Sequence, residues 1–398
     1  MIPFSPPRID DLTIAEVVSA LKSGWITTGP RTKQFEKEIT NYCQAKTTVC
    51  VSSWTMGMQV LLHWWGVGEG DEVIVPCYTY CASGNMVLHS GAKLVLVDIG
   101  DDFNLNVAAV ADAITPRTKV IMPVDIGGLP CDYEALYSII QDKQQLFSPS
   151  NQLQKQLNRI LLVADAAHSF GAKYRNKFSG ALADITVFSF HAVKNLTTAE
   201  GGAIVFNLPD DFDHEVIYRH FCTLILHGQS KDALAKTKVG GWKYDVVAPG
   251  FKCNMTDLQA AIGLVELNRY AENLERRKQI MEFYLDFFKA HDWAILPQIQ
   301  SAHKTSAYHL FLLRIAGISE AERDAMITTI NELGVAVNVH FQPLPLLSAY
   351  KNLGYDIADY PNAYLAYANE ISLPVYYDLT DEQLEIICNA VVSAYQKV

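Results

Sequence analysis

The chain is predicted to be an α/β protein: a large domain around a mainly parallel sheet, followed by a smaller α+β portion. Three observations carry this. Seven short apolar runs rich in β-branched residues recur through the first half: 47–53, 71–80, 93–99, 119–126, 159–167, 185–190 and 202–207. They are continuous rather than alternating, as strands buried on both faces are. Helical-looking stretches separate several of them, and strands alternating with helices indicate a parallel sheet wrapped by its crossovers.

The helical stretches are 56–66, "NVAAVADAIT" and "DYEALYSIIQDKQQ". The polar, Gln- and Asn-rich stretch 142–158 reads as a surface excursion before the fifth strand. Thr256 is placed to cap a helix that runs with helical periodicity through "DLQAAIGLVELNRYAENLERRKQIMEFYLDFFKAH". That helix is expected to link a large domain, residues 1–255, to a smaller domain, residues 256–398, with a closing helix. No internal repeat is visible.

With 49% hydrophobic and 19% charged residues, the 398-residue chain has the make-up of a soluble globular protein. A formal charge of −11 argues against nucleic-acid binding, because there is no basic surplus to neutralise phosphates. "MIPFSPPRIDD" lacks the character of a signal peptide, and no apolar run is long enough to span a bilayer. The eight cysteines are scattered, without the paired clusters of a zinc site, so no metal is expected; buried thiols in a reducing cytoplasm fit them better.

In an open α/β sheet, ligands gather at the carboxyl ends of the strands. Here "RILLVA" runs into Asp165, "ITVFSF" into His191 and Lys194, and "DEVIVP" into Tyr78, Thr79 and Tyr80. Most loop lysines are simply solvated. A lysine in a closed site, however, has its pKa lowered and can act as a neutral amine. A carboxylate at a buried strand tip needs a cation or several donors. An amine able to form a Schiff base and an acid able to pair with a pyridinium nitrogen are what pyridoxal phosphate requires. "SSWTMGM" leads from a strand into a helix, whose first N–H groups could cradle a phosphate. Ser189 could add a hydroxyl and Tyr80 a ring face. "EGG" at 200–202 is expected to let the backbone turn tightly into the last strand. No strand is followed by G-x-G-x-x-G, which disfavours a nicotinamide dehydrogenase.

The block "VADAAHSFGAKYRNKFSGALADITVFSFHAVKNLTTAEGGAIVFN" resembles the signature of the DegT/StrS-type, pyridoxal-phosphate-dependent nucleotide-sugar aminotransferases. The likeness spans nearly the whole chain, through "SGWITTGPRTKQFEKEI", "GEGDEVIVPCYTYCAS", "PGFKCNMTDLQAAIGLVEL", "VNVHFQP" and "ISLPVYYDLT". It implies the aspartate-aminotransferase type of fold (fold type I) and a homodimer with two shared sites. Lys194 would be the Schiff-base lysine and Asp165 the partner of the pyridine nitrogen. His168 falls where the family usually has glutamine, beside the ring hydroxyl. Ser189, Thr55 and the backbone around Trp54 would hold the phosphate, and Tyr80 would stack on the ring. Lys252 and Asn254 would reach the partner subunit's site, and Thr28 and His340 would meet the sugar nucleotide.

The implied reaction takes an amino group, from glutamate with release of 2-oxoglutarate, to a nucleoside-diphosphate keto-deoxysugar. C4 is the expected position and C3 the alternative; a non-catalytic binding or regulatory protein on the same fold is a further alternative. The sugar 3-dehydratase branch replaces the lysine with histidine, and Lys194 stands against it. Four features depart from the family pattern: Trp54 replaces a glycine, so that a reshaped cradle is expected; His168 replaces glutamine; Pro345 replaces a second histidine; and 142–158 is longer than usual.

Overall fold

The computed structural model describes residues 1–231 and 243–398. All seven apolar runs are strands: β1 (Thr47–Val51), β2 (Glu72–Pro76), β3 (Lys93–Val97), β4 (Thr118–Ile121), β5 (Leu161–Asp165), β6 (Ile185–Ser189) and β7 (Gly202–Phe206). They form one sheet in the order β1-β7-β6-β5-β4-β2-β3. Strand β7 runs antiparallel to both its neighbours, and the remaining pairs are parallel. Successive residues point to opposite faces, so Val73, Val75, Leu161 and Val163 join one apolar cluster while Ile74, Leu162 and Ala164 join another. Both faces are covered, which is why the runs do not alternate with polar residues.

A second, antiparallel sheet joins β8 (Ala294–Ile295), β9 (Phe311–Ile315) and β10 (Glu370–Leu373), with β9 in the middle. Its apolar side packs into a separate cluster with the helices Tyr270–Phe288, Glu320–Glu332 and Asp381–Tyr395. Among the described residues no helix is long and apolar enough to cross a membrane. All eight cysteines are free and six of them are buried.

Three local expectations change. The long helix after Thr256 is two helices, Asp257–Asn268 and Tyr270–Phe288, parted at Arg269. Arg269 leaves helical geometry (φ −104°, ψ 11°), and its guanidinium is held by Asp10 and Glu266. The Thr256 cap itself forms, reinforced by Gln259 in a capping box. Residues 142–158 are more than a surface excursion, because they contain the helix Gln152–Leu157 with Gln154 and Leu157 buried. Asn151 and Gln154 donate to the Trp65 carbonyl (2.8 and 2.9 Å), satisfying the open end of the helix Trp54–Trp65. Thirdly, Gly201 and Gly202 do not take the left-handed conformation of a tight turn; Ala199 does, at φ 65°. Gly202 serves close approach instead, since a Cβ there would lie 2.7 Å from the backbone of Ser53 and Trp54.

Candidate active site

The strand ends converge on one cavity of about 440 Å³. The large sheet contributes Ser53, Trp54 and Thr55 after β1, Thr79, Tyr80 and Ser83 after β2, Asp165 at the end of β5 with His168 beyond it, and Ser189 at the end of β6 with Lys194 beyond it. The opposite wall comes from elsewhere in the chain: Phe4 and Ser5 near the start, then His309, His340 and Phe341.

Asp165 is the last residue of β5 and is buried. Its carboxylate accepts from the Ser83 hydroxyl at 2.7 Å and from the Ala167 N–H at 3.2 Å. Burial raises its pKa to about 6, against the pull of those two donors and of the Lys194 ammonium. Lys194 is partly exposed as a residue, yet its amine is enclosed by protein. That burial lowers its pKa to about 8, with Asp165 opposing the shift. The amine is therefore much more easily deprotonated than a surface lysine, while the carboxylate stays largely ionised at neutral pH.

The backbone on both sides of Lys194 is pinned. Ser5 donates to the Val193 carbonyl at 3.3 Å, and the Asn195 amide donates to the Ala307 carbonyl at 2.6 Å. A side chain with four rotatable bonds thus starts from a defined base.

Ser53 caps the helix Trp54–Trp65, its hydroxyl accepting from the Met56 N–H at 3.1 Å. The N–H groups of Trp54 and Thr55 belong to the first turn, which has no partners within the helix. With the hydroxyls of Thr55 and Ser189 on the same cavity, they form a cradle of donors at the positive end of a 12-residue helix. The Trp54 backbone at this turn is regular helix, the residue is only 5% exposed, and its indole packs into the core. Close packing of this turn against β7 depends on the bare Cα of Gly202. A pyridoxal phosphate group fits this donor set, with an amine, a facing carboxylate and an N–H cradle on one cavity.

His168 is buried, and its Nδ1 accepts from the Gly127 N–H at 3.3 Å. Burial, with Lys194 nearby, holds it well below the usual histidine pKa, so the ring is neutral and its one proton sits on Nε2. In that tautomer it can donate a hydrogen bond, as the glutamine it replaces could. It packs against His309 (ring centroids 4.5 Å apart) and stacks with Phe341 (5.7 Å). Tyr80 is 61% exposed at the cavity and contacts Phe341 at 5.9 Å.

Thr28, Lys252 and Asn254 do not line the cavity. They form a cluster of their own: Asn254 donates to the Thr28 hydroxyl at 2.6 Å, and the Lys252 ammonium donates to the Asn254 carbonyl oxygen. Pro345 lies buried in the turn Leu344–Leu346, also off the cavity. Sequence reasoning missed Ser83, Phe4, Ser5, His309 and Phe341. Ser83 alone had a usable signal, lying four residues after Thr79 at the start of a helix that leaves a strand end.

The sequence profile of the DegT/DnrJ/EryC1/StrS aminotransferase family matches residues 7–392. This chain belongs to that family. The DegT-family chain is 35% identical to the spore coat polysaccharide biosynthesis protein SpsC of Bacillus subtilis, over 98% of this chain and 96% of SpsC. Spr1654 of Streptococcus pneumoniae, which carries the assignment of a sugar aminotransferase, superposes in its PMP form with a TM-score of 0.97. The two are 46% identical over the whole of both chains. PseC of Helicobacter pylori, an aminotransferase of pseudoaminic acid biosynthesis, gives a TM-score of 0.86 at 25% identity over the whole of both chains. Spr1654 has also been solved in a PLP form. The chain is thus a pyridoxal-phosphate-dependent aminotransferase of fold type I.

Proposed function

We propose that this enzyme moves the amino group of L-glutamate to C4 of a keto-deoxysugar carried on a nucleoside diphosphate. The observation that carries the reading is the pairing, in one cavity, of the Lys194 amine with the Asp165 carboxylate beside the helix cradle at Ser53–Thr55. The sugar assignment is supported by the relatives, since SpsC serves polysaccharide biosynthesis and PseC serves pseudoaminic acid biosynthesis.

Pyridoxal phosphate supplies a carbonyl that takes up the amino group and a ring that absorbs electrons from the carbon losing its proton. Asp165 would keep a proton on the pyridine nitrogen, and Ser83 and the Ala167 N–H hold its carboxylate in place for that. Lys194 would anchor the cofactor and, when its amine is free, would take and return the proton at the substrate carbon. Its lowered pKa makes it a base near neutral pH. Thr55, Ser189 and the first-turn N–H groups would hold the phosphate, His168 would donate to the ring hydroxyl, and Tyr80 would cover a ring face. His340 meets the sugar substrate. The fully formed unit is a cytoplasmic homodimer in which Lys252 and Asn254 act at the partner's site, while Thr28, like His340, meets the sugar nucleotide. In each chain, residues 1–255 hold the cofactor and residues 256–398 close the substrate side.

The test is to load the protein with pyridoxal phosphate, add glutamate, and then add a panel of 4-keto and 3-keto sugar nucleotides. Formation of 2-oxoglutarate and of a 4-amino sugar, identified by mass and NMR, is expected. Amination at C3, or turnover with glutamate but with none of the sugars, would overturn the substrate assignment.

A further inference from the structure

The wall opposite the lysine contains a buried chain of proton-bearing groups. His340 lines the cavity, and its Nδ1 lies 2.9 Å from the Ser372 hydroxyl oxygen. Ser372 lies 2.6 Å from Oε1 of Glu370, and Oε2 of Glu370 accepts from the His340 N–H at 3.0 Å. Glu370 and Ser372 are both fully buried on β10. Among the described residues Nε2 of His340 has no hydrogen-bond partner, which leaves it as the nitrogen available to the cavity.

The chain can be polarised in only two ways, because a serine hydroxyl has one proton. With Glu370 ionised, Ser372 donates to Oε1, His340 donates from Nδ1, and Nε2 is a bare acceptor. With Glu370 protonated, Oε1 donates to Ser372, Ser372 donates to Nδ1, and Nε2 carries the proton. The protonation state of a buried carboxyl therefore decides whether His340 gives or takes a proton at the cavity.

We propose that Glu370 and Ser372 are positioning residues that form a proton relay behind His340 and keep its Nε2–H as the acid toward the substrate oxygen. The step rests on the aminotransferase reading above. When a keto group becomes an amine, its oxygen leaves as water and must receive protons. His340 gives its Nε2 proton to that oxygen, the Ser372 proton moves to Nδ1, and the Glu370 proton moves to the Ser372 oxygen. The carboxylate left on Glu370 carries the balancing charge, and no oxidant or reductant is needed.

The surroundings suit a carboxyl that is neutral at rest. Arg323 is the nearby cation, but its guanidinium donates to the backbone carbonyls of Tyr367 and Glu370 and to Asp324, not to the Glu370 carboxylate. Tyr78 faces the same region and donates to the His340 carbonyl at 2.8 Å. Lys194, His168 and His309 face His340 across the cavity, Phe4 stacks on its ring at 5.4 Å, and Phe341 meets it edge-on. Burial raises the Glu370 pKa to about 8, and the three histidines are held neutral.

Glu370→Gln mimics the protonated state, since its amide can donate to Ser372 while its carbonyl oxygen accepts from the His340 N–H. The holoenzyme is labelled with 15N-histidine, and His340 is assigned by loss of its signals in His340→Gln. In the wild type, His340 is expected as the Nε2–H tautomer at pH 7 and the Nδ1–H tautomer above pH 9. Glu370→Gln should stay Nε2–H throughout, Ser372→Ala should lose the switch, and Ser372→Thr should retain it. In turnover with the keto-sugar, kcat/KM of the wild type should fall above pH 8; Glu370→Gln, which holds the tautomer but cannot pass a proton to Ser372, should be slower than the wild type at pH 7 and lack that fall. Ser372→Ala should lower kcat by roughly tenfold or more with little change in KM. One tautomer at all pH values, or a switch that persists in Ser372→Ala, would overturn the relay. Loss of the glutamate half-reaction in the wild type would instead overturn the aminotransferase reading, leaving the tautomer result to stand by itself.

Discussion

The two walls of the cavity are built on different principles. The strand-end wall is assembled at the ends of β1, β2, β5 and β6 of one sheet: parallel pairing of β5 with β6 brings Asp165, Ser189 and Lys194 together, and β7, antiparallel to both β6 and β1, carries the Ser53–Thr55 turn to the same edge. The opposite wall draws His309, His340 and Phe341 from segments around the small sheet, plus Phe4 and Ser5 from the start of the chain. Two charged groups that influence each other electrostatically, Asp165 and Lys194, dominate the first wall. The second is made of neutral rings backed by a buried carboxyl. The difference fits the division of labour proposed above, with cofactor chemistry on the sheet and substrate proton chemistry on the appended wall.

Substitutions can break or sharpen that division. Lys194→Ala should cause the largest loss, on the order of a thousandfold or more in turnover, with no visible cofactor band that responds to glutamate. Asp165→Asn should cost about a hundredfold in the glutamate half-reaction, followed by stopped-flow absorbance, because the ring nitrogen loses its anionic partner. Gly202→Ala should weaken cofactor binding by roughly tenfold in equilibrium titration. Its Cβ would press on the Ser53–Trp54 peptide and open the cradle. If any of these three affected only the sugar half-reaction, the division would be wrong.

The smallest effect concerns stability on the other wall. Glu370 has a folded pKa of about 8 against an ordinary value of 4.5. Between those values the native state holds a proton that the unfolded chain has lost. The contribution of Glu370 is thus fully present below pH 4.5 and is lost as pH rises through 8. Glu370→Gln should melt about 2–3 °C above the wild type at pH 9, with the gap closing toward pH 5, by calorimetry.

The same contrast explains what could be read in the sequence. The seven strands were visible because each is buried on both faces, and Asp165 and Lys194 stood out as charged residues beside apolar runs. His340 is reached only through resemblance, and nothing in the sequence marks its partners Ser372 and Glu370, since polar contacts across β10 have no period in the sequence. Ser5 lies 188 residues from the Val193 carbonyl it meets. Gly202 was legible as a special position, but its neighbour, the turn at Ser53, follows β1 at the opposite end of the chain segment. The break at Arg269 was hidden because apolar periodicity continues on both sides of it.

The central claim is that Lys194 is the amine that holds the cofactor. Loading the protein with pyridoxal phosphate, reducing with borohydride and mapping the peptides by mass spectrometry tests it most directly. The pyridoxyl label should lie on Lys194 and vanish once glutamate has been added before reduction. A label on another lysine, or one that glutamate does not remove, would contradict the account.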